Sequence, residues 1–143
     1  MAATRVDHSH RGLVQKLGVR PEERVEIVGD VGAGLRRDVK EVLGRGLVRA
    51  GELDGAIVLV ESLEEAEAVL DSYRPRLRDT GYLWMITRKR TSDGYLNQMT
   101  LVPLAKRRGL IDNKTCSLDG ERSGMRFVVP RVLRTADGPP AAP

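Results

Sequence analysis

A chain of 143 residues with 41% hydrophobic residues is long enough to bury one core and suits a single domain. Its longest strictly apolar stretch, Ala56–Val60, is far too short to span a bilayer, and the opening MAATRVDHSHRGL lacks the apolar segment of a secretory signal, so a cytoplasmic protein without membrane attachment is expected. The formal net charge of +4 is unevenly placed: residues 1–80 carry 13 Lys/Arg against 15 Asp/Glu, residues 81–143 carry 11 against 5, and anionic ligands or partners are expected at the basic half.

Residues 1–12 and 135–143 are polar, small or Pro-rich and read as disordered tails around one domain over 13–134. Arg24–Val28 is a short β-type run. From Leu35 to Leu43 the apolar residues Leu35, Val39, Val42 and Leu43 share one helical face, and Gly44 and Gly46 end the helix. Leu47–Gly55 has room for one short strand, Leu47–Arg49, and no second crossover helix. Ala56–Val60 reads as a parallel strand buried on both faces. Ser62 is placed to cap a helix that runs to Tyr73, with Glu64, Glu65 and Glu67 near its positive end. Gly81–Thr87 is a second buried-type strand, and Gln98–Arg108 a helix with Lys106, Arg107 and Arg108 at its C-terminal end. Asn113–Leu118 and Gly124–Val129 are β-type runs joined by DGERS, whose Asp-Gly is a hairpin signal. The order β-α-(β)-β-α-β-α-β-β predicts an α/β, three-layer, Rossmann-like fold, its mostly parallel sheet closed by a C-terminal antiparallel hairpin.

Such a sheet resembles the Rossmann-like methyltransferase fold. Three segments resemble one family more closely. KLGVRPEERVEIVGD (Lys16–Asp30) is similar to the opening of the domain-of-unknown-function 3052 family. GYLWMITRK (Gly81–Lys89) is similar to its strand ending in a basic pair, and GLIDNKTCSLDGERSGMRFV (Gly109–Val128) to its closing hairpin. The resemblance spans Leu13 to Arg131 and implies a fold, with no established activity attached. Two positions depart from the family pattern. Arg122 stands where members usually carry a tryptophan before the Ser-Gly. After the first strand comes Gly-Asp-Val-Gly-Ala-Gly, where many members have an acidic or featureless loop.

Asp30, Gly32 and Gly34 resemble the D-x-G-x-G that methyltransferases set against S-adenosylmethionine, where glycines admit the ligand and the carboxylate meets the methionyl amine. The alternative is a tight strand-to-helix turn with Asp30 near the helix start. The third glycine of a dinucleotide loop is replaced by Arg36, and only Glu52 and Asp54 are candidates for a ribose carboxylate. His8 and His10 both lie in the N-terminal tail, which argues against histidine-based catalysis in the domain, and Cys116 stands alone, without zinc spacing. Arg88, Lys89 and Arg90 follow a strand that would end at the ligand-binding edge of a parallel sheet, so an anion or partner site is expected there, with Arg126 of the hairpin as a further candidate. Aromatic residues make up 3% of the chain, too few for a visible base-stacking platform.

The expected function is a binding or regulatory interaction module without catalysis of its own, taking a protein partner or an anionic small molecule near Arg88–Arg90 and the glycine loop. One alternative is a minimal S-adenosylmethionine-dependent methyltransferase that borrows missing walls from a second copy in a homo-oligomer. Another is phosphate-driven binding of nucleic acid.

Overall fold

A computed structural model describes residues 12–91 and 93–134. The readings of residues 1–11 and 135–143 as disordered tails lie outside the described residues, with His8 and His10 among them.

A helix not expected from the sequence, α1, covers residues 12–17. It is too short to show a helical period, but it buries Val14 and Leu17. Strand β1 (Val25–Val28) leads through the glycine loop to α2 (Ala33–Val42), whose Leu35 and Val39 are buried. Strand β2 (Leu53–Leu59) follows. Helix α3 (Leu63–Tyr73) starts where Ser62 Oγ accepts from Glu65 N–H, as expected for a hydroxyl cap. Strand β3 (Leu77–Arg88) is longer than the apolar run alone suggests. A 3₁₀ turn and the short helix α4 (Leu101–Lys106) lead to β4 (Ile111–Ser117) and β5 (Arg122–Val128). The helix expected over Gln98–Arg108 is thus confined to its centre.

The sheet order is β1-β2-β3-β5-β4. β1–β2 and β2–β3 are parallel, whereas β3–β5 and β4–β5 are antiparallel. This corrects the expected topology. The sheet is mixed, half parallel and half antiparallel, and it is not closed. The final pair of strands enters through β5 against β3, so β4 is left as one edge and β1 as the other. Leu47–Arg49 is not a strand. Its only backbone bond to β1 runs from Val48 N–H to Val25 C=O at 2.9 Å.

Alternation along β3 divides the interior into two packed layers. Tyr82, Trp84 and Ile86 face α1 and α2, among Val14, Leu17, Leu35 and Val39. Leu83 and Met85 face α3 and α4, among Ala66, Leu70, Leu101 and Leu104. Trp84 is fully buried, and its Nε1–H donates to Leu17 C=O at 2.8 Å. Gly124 of β5 makes room for that indole: a Cβ there would lie 2.9 Å from Ile86 Cδ1 and 3.0 Å from Trp84 Cε3.

The Asp-Gly signal does locate a turn between β4 and β5, but not a two-residue one. Asp119 Oδ1 accepts from the N–H groups of Glu121 (2.8 Å) and Arg122 (2.7 Å), so a carboxylate organises a longer connection. No helix of the described residues is long and apolar enough to cross a membrane.

Trp84→Phe removes the donor to Leu17 and leaves a void. It should cost about 2–4 kcal/mol in equilibrium urea unfolding, whereas an unchanged midpoint would remove Trp84 as the tie between β3 and α1.

Candidate functional site

Because β1, β2 and β3 run in parallel, their carboxyl ends share one edge, where ligands of open α/β sheets bind. The glycine loop leaves β1 at that edge. Gly29 has φ +89°, and a Cβ there would lie 2.8 Å from Leu59 Cβ, so only glycine lets the loop turn against β2. Gly32, with φ +105°, stands at the N-cap of α2, and its N–H donates to Asp30 Oδ1 at 3.1 Å. The carboxylate is therefore tied to the helix start, as the structural alternative for Asp30 requires.

The other side of Asp30 is also engaged. Arg122, at the start of β5 and 92 residues away in sequence, donates Nη2 to Asp30 Oδ2 at 2.9 Å and Nε to Asp30 C=O at 2.9 Å. Its Nη1 donates to Asp119 Oδ2, also at 2.9 Å. The guanidinium is only 13% exposed, whereas the Asp30 side chain is 66% exposed, so the cation is the inner member of the pair. Burial works against the charge on Arg122, but the Asp119 and Asp30 carboxylates outweigh it and hold its pKa above the ordinary value. Burial likewise raises the Asp119 carboxyl. The backbone N–H groups of Glu121 and Arg122 and the Arg122 guanidinium more than reverse this, leaving Asp119 below its usual range. The two departures from the family pattern noted in the sequence thus meet in space: Asp30 of the glycine loop and Arg122 form one charge-assisted lock.

Beside this lock lies a cleft of about 420 Å³. Leu13, Val31, Leu35 and Leu118 supply its apolar surface, and Lys16, Ser117 and Asp119 its polar groups, with Gly32 and Gly34 in its wall. Gly32 and Gly34 therefore reach a ligand-sized space, and Asp30 is turned away into the lock.

The basic triplet sits at the expected edge but is already partnered. Arg88 Nε lies 3.0 Å from Glu61 Oε2, Lys89 Nζ donates to Ser117 Oγ at 2.6 Å, and the Arg90 guanidinium lies 5.7 Å from the centre of the Tyr95 ring. The groove there, about 680 Å³, also holds the acidic side chains of Glu61, Asp93 and Glu121. Arg126 does not join the triplet. It pairs with Trp84 in register, four residues further along β5 than Arg122, and its guanidinium stacks over Tyr82 at 5.0 Å. Burial lowers its pKa from the ordinary value. Alternation along β5 turns it toward the α1 layer, on the same side as Tyr82.

Glu52 and Asp54 lie at the opposite, amino end of β2. Both engage Arg78, at 3.3 and 3.6 Å, and Asp54 Oδ2 also accepts from Arg24 N–H at 2.8 Å. A strand of seven residues separates them from the glycine loop by roughly 20 Å, so neither can meet a ribose held there. Cys116 is a half-buried free thiol packed beside the α1 layer. Among the described residues no group of His, Cys, Asp and Glu could hold a metal ion.

Fold and site together define a small methyltransferase-like Rossmann domain in which β1 is an edge strand of the described sheet and Asp30 of the glycine loop is paired with Arg122. The chain belongs to the family described as "Protein of unknown function (DUF3052)", which matches residues 14–131. Its fold is similar to that of a SAM-dependent methyltransferase from Aquifex aeolicus (TM-score 0.65, 11% identity, 84% of this chain and 89% of that one). It is also similar to magnesium protoporphyrin IX methyltransferase from Synechocystis with bound SAM (TM-score 0.61, 12% identity, 89% and 79%). A third similar structure is Aeropyrum pernix fibrillarin with natively bound S-adenosyl-L-methionine (TM-score 0.54, 18% identity, 84% and 76%). At these identities the likeness is one of fold. A search of curated proteins finds no match.

The lock makes a pH-dependent prediction. A carboxyl whose pKa is lower folded than unfolded stabilises the fold above the unfolded value, near 3.8 for Asp119, and loses that contribution as pH falls through the folded value. Arg122→Gln should therefore cost about 1–2 kcal/mol by urea unfolding at neutral pH, and progressively less at a pH well under the unfolded value of 3.8. An equal cost at both pH values would show that Arg122 acts through packing alone.

Proposed function

We propose that this chain is a binding module built on a reduced methyltransferase-like fold, without methyl transfer of its own. The observation that carries this reading is the Arg122 guanidinium on Asp30. A methionyl amine would need that carboxylate, and a cation of the chain already holds it at 2.9 Å. The residues present do not fit S-adenosylmethionine in a second respect. Among the described residues no strand lies beyond β1, and Glu52 and Asp54, the candidate ribose acids, stand at the far end of the sheet.

The module's ligand face is the carboxyl edge of the sheet. It offers the 420 Å³ cleft beside Gly32 and Gly34, and the neighbouring groove around Arg88. A cleft of this size suits a small molecule. The balanced charges around Arg88, Lys89 and Arg90 suit a polar protein partner better than a bare anion, since Glu61 already neutralises Arg88. The second reading, a minimal S-adenosylmethionine-dependent methyltransferase, is favoured by the cleft alone.

A thermal-shift titration with S-adenosylhomocysteine separates the two. A ligand at about a hundred times its dissociation constant stabilises a fold by about 2.7 kcal/mol, on the order of several degrees for a domain of this size. The binding-module reading expects no saturable shift up to millimolar ligand. A saturable shift that disappears in Asp30→Ala would overturn it and establish a cofactor site.

A further inference from the structure

On the outer side of β1, away from the glycine-loop cleft, lies a hollow of about 270 Å³ lined by Ile27, Arg36, Lys40, Leu47, Val48 and Arg49. Three of these six side chains are cationic and three apolar, and among the described residues no carboxylate lines it. Arg36 is held in place by one bond, Nη2 to Gly29 C=O at 2.9 Å, which leaves its remaining N–H groups uncommitted. Lys40 and Arg49 make no hydrogen bond or ion pair among the described residues. Arg88 and Arg122 at the carboxyl edge of the sheet, by contrast, each have a carboxylate partner.

The floor of the hollow is also unsatisfied. In a parallel sheet, alternate residues direct their peptide groups to the same side. Val25 C=O points outward, to Val48 N–H. Ile27, two residues on, directs its N–H and C=O to the same outer edge, and no backbone bond among the described residues uses them. The chain leaves β1 uncovered there because the segment after α2 crosses its edge at a single point. A free strand edge beside apolar side chains and three cations is a set of complementary contacts: donors and an acceptor for a polar ring, a surface for its apolar face, and positive charge for an anionic group.

We propose that this hollow is a binding site for a small organic phosphate. Arg36, Lys40 and Arg49 hold the phosphate, and its organic body lies on Ile27, Leu47 and Val48 against the open edge of β1. The hollow shares no lining residue with the glycine-loop cleft or with the groove around Arg88, so its fate does not depend on the binding-module reading of the cleft.

The test is a backbone-amide NMR titration with adenosine monophosphate at low salt, with inorganic phosphate and adenosine as comparisons. Adenosine monophosphate should bind saturably and perturb Ile27, Lys40, Val48 and Arg49, more tightly than either comparison. The double variant Lys40→Gln/Arg49→Gln keeps the Arg36 contact to Gly29 and alters only exposed side chains, so it should fold. It should weaken binding about tenfold or more, since it removes two charge-assisted contacts. Equal affinity in wild type and the double variant, perturbations centred on Arg88–Arg90 or Arg107 instead, or shifts that never saturate would overturn the assignment.

Discussion

Strand β3 is hydrogen-bonded along both edges and packed on both faces, and this governs how everything else is arranged. Its left-hand neighbour β2 runs parallel and its right-hand neighbour β5 antiparallel. Each face must find its own cover, because a peptide or side chain buried without a partner would be costly. On one face α3 and α4 meet Leu83 and Met85; on the other, α1 and α2 meet Tyr82, Trp84 and Ile86. The polar tips on that second face are satisfied at specific points. Trp84 donates to Leu17 C=O, and Tyr82 Oη donates to Glu23 Oε1 at 3.0 Å, which, after burial, is why its pKa is raised. A similar device ties the other layer to β1. Tyr73 Oη donates to Glu26 Oε2 at 2.7 Å, and burial followed by that carboxylate pushes its pKa up to about 12.

That packing brings the start of β5 over the glycine loop. Arg122 can then reach Asp30 across 92 residues of sequence, and Asp119, held by its own turn, completes the lock. An exposed ion pair contributes little to stability, but here the guanidinium is mostly buried and makes three short hydrogen bonds. It pairs the loop's carboxylate with a cation of the chain itself, while leaving the apolar cleft alongside open. The fold is shared with methyltransferases, and a shared fold does not carry a function with it.

The edge at β1 is the second place where this domain departs from a fuller doubly wound sheet. Among the described residues nothing is paired beyond β1, and Ile27 and the cations of α2 and the following segment line a hollow there. Elsewhere the abundant arginines are structural. Arg108 spans Glu67 and Asp71 of α3 and donates to Leu104 C=O, while Arg76 bridges to Glu26. In the basic C-terminal half Arg88, Arg108 and Arg122 are neutralised by the chain's own carboxylates, so net charge alone points to no particular partner.

Local chemistry was legible in the sequence. The apolar runs of β2 and β3, the Ser62 cap, the helical face of Leu35 and Val39, and the hairpin position all follow from periodicity and turn residues, which depend on near neighbours. The family segments were legible for the same reason. The share of parallel and antiparallel pairing was not, because it depends on which edge the last two strands approach, and no local signal encodes that. Nor was α1, described over residues 12–17, whose Val14 and Leu17 pack in the layer of Trp84. The candidate site was legible in its parts alone. Asp30, Gly32 and Gly34 stood out by motif, and Arg122 by its departure from the family pattern. Their contact was decided by the tertiary structure, because a bond between residues 92 apart exists only once β3 and β5 have paired and carried one to the other.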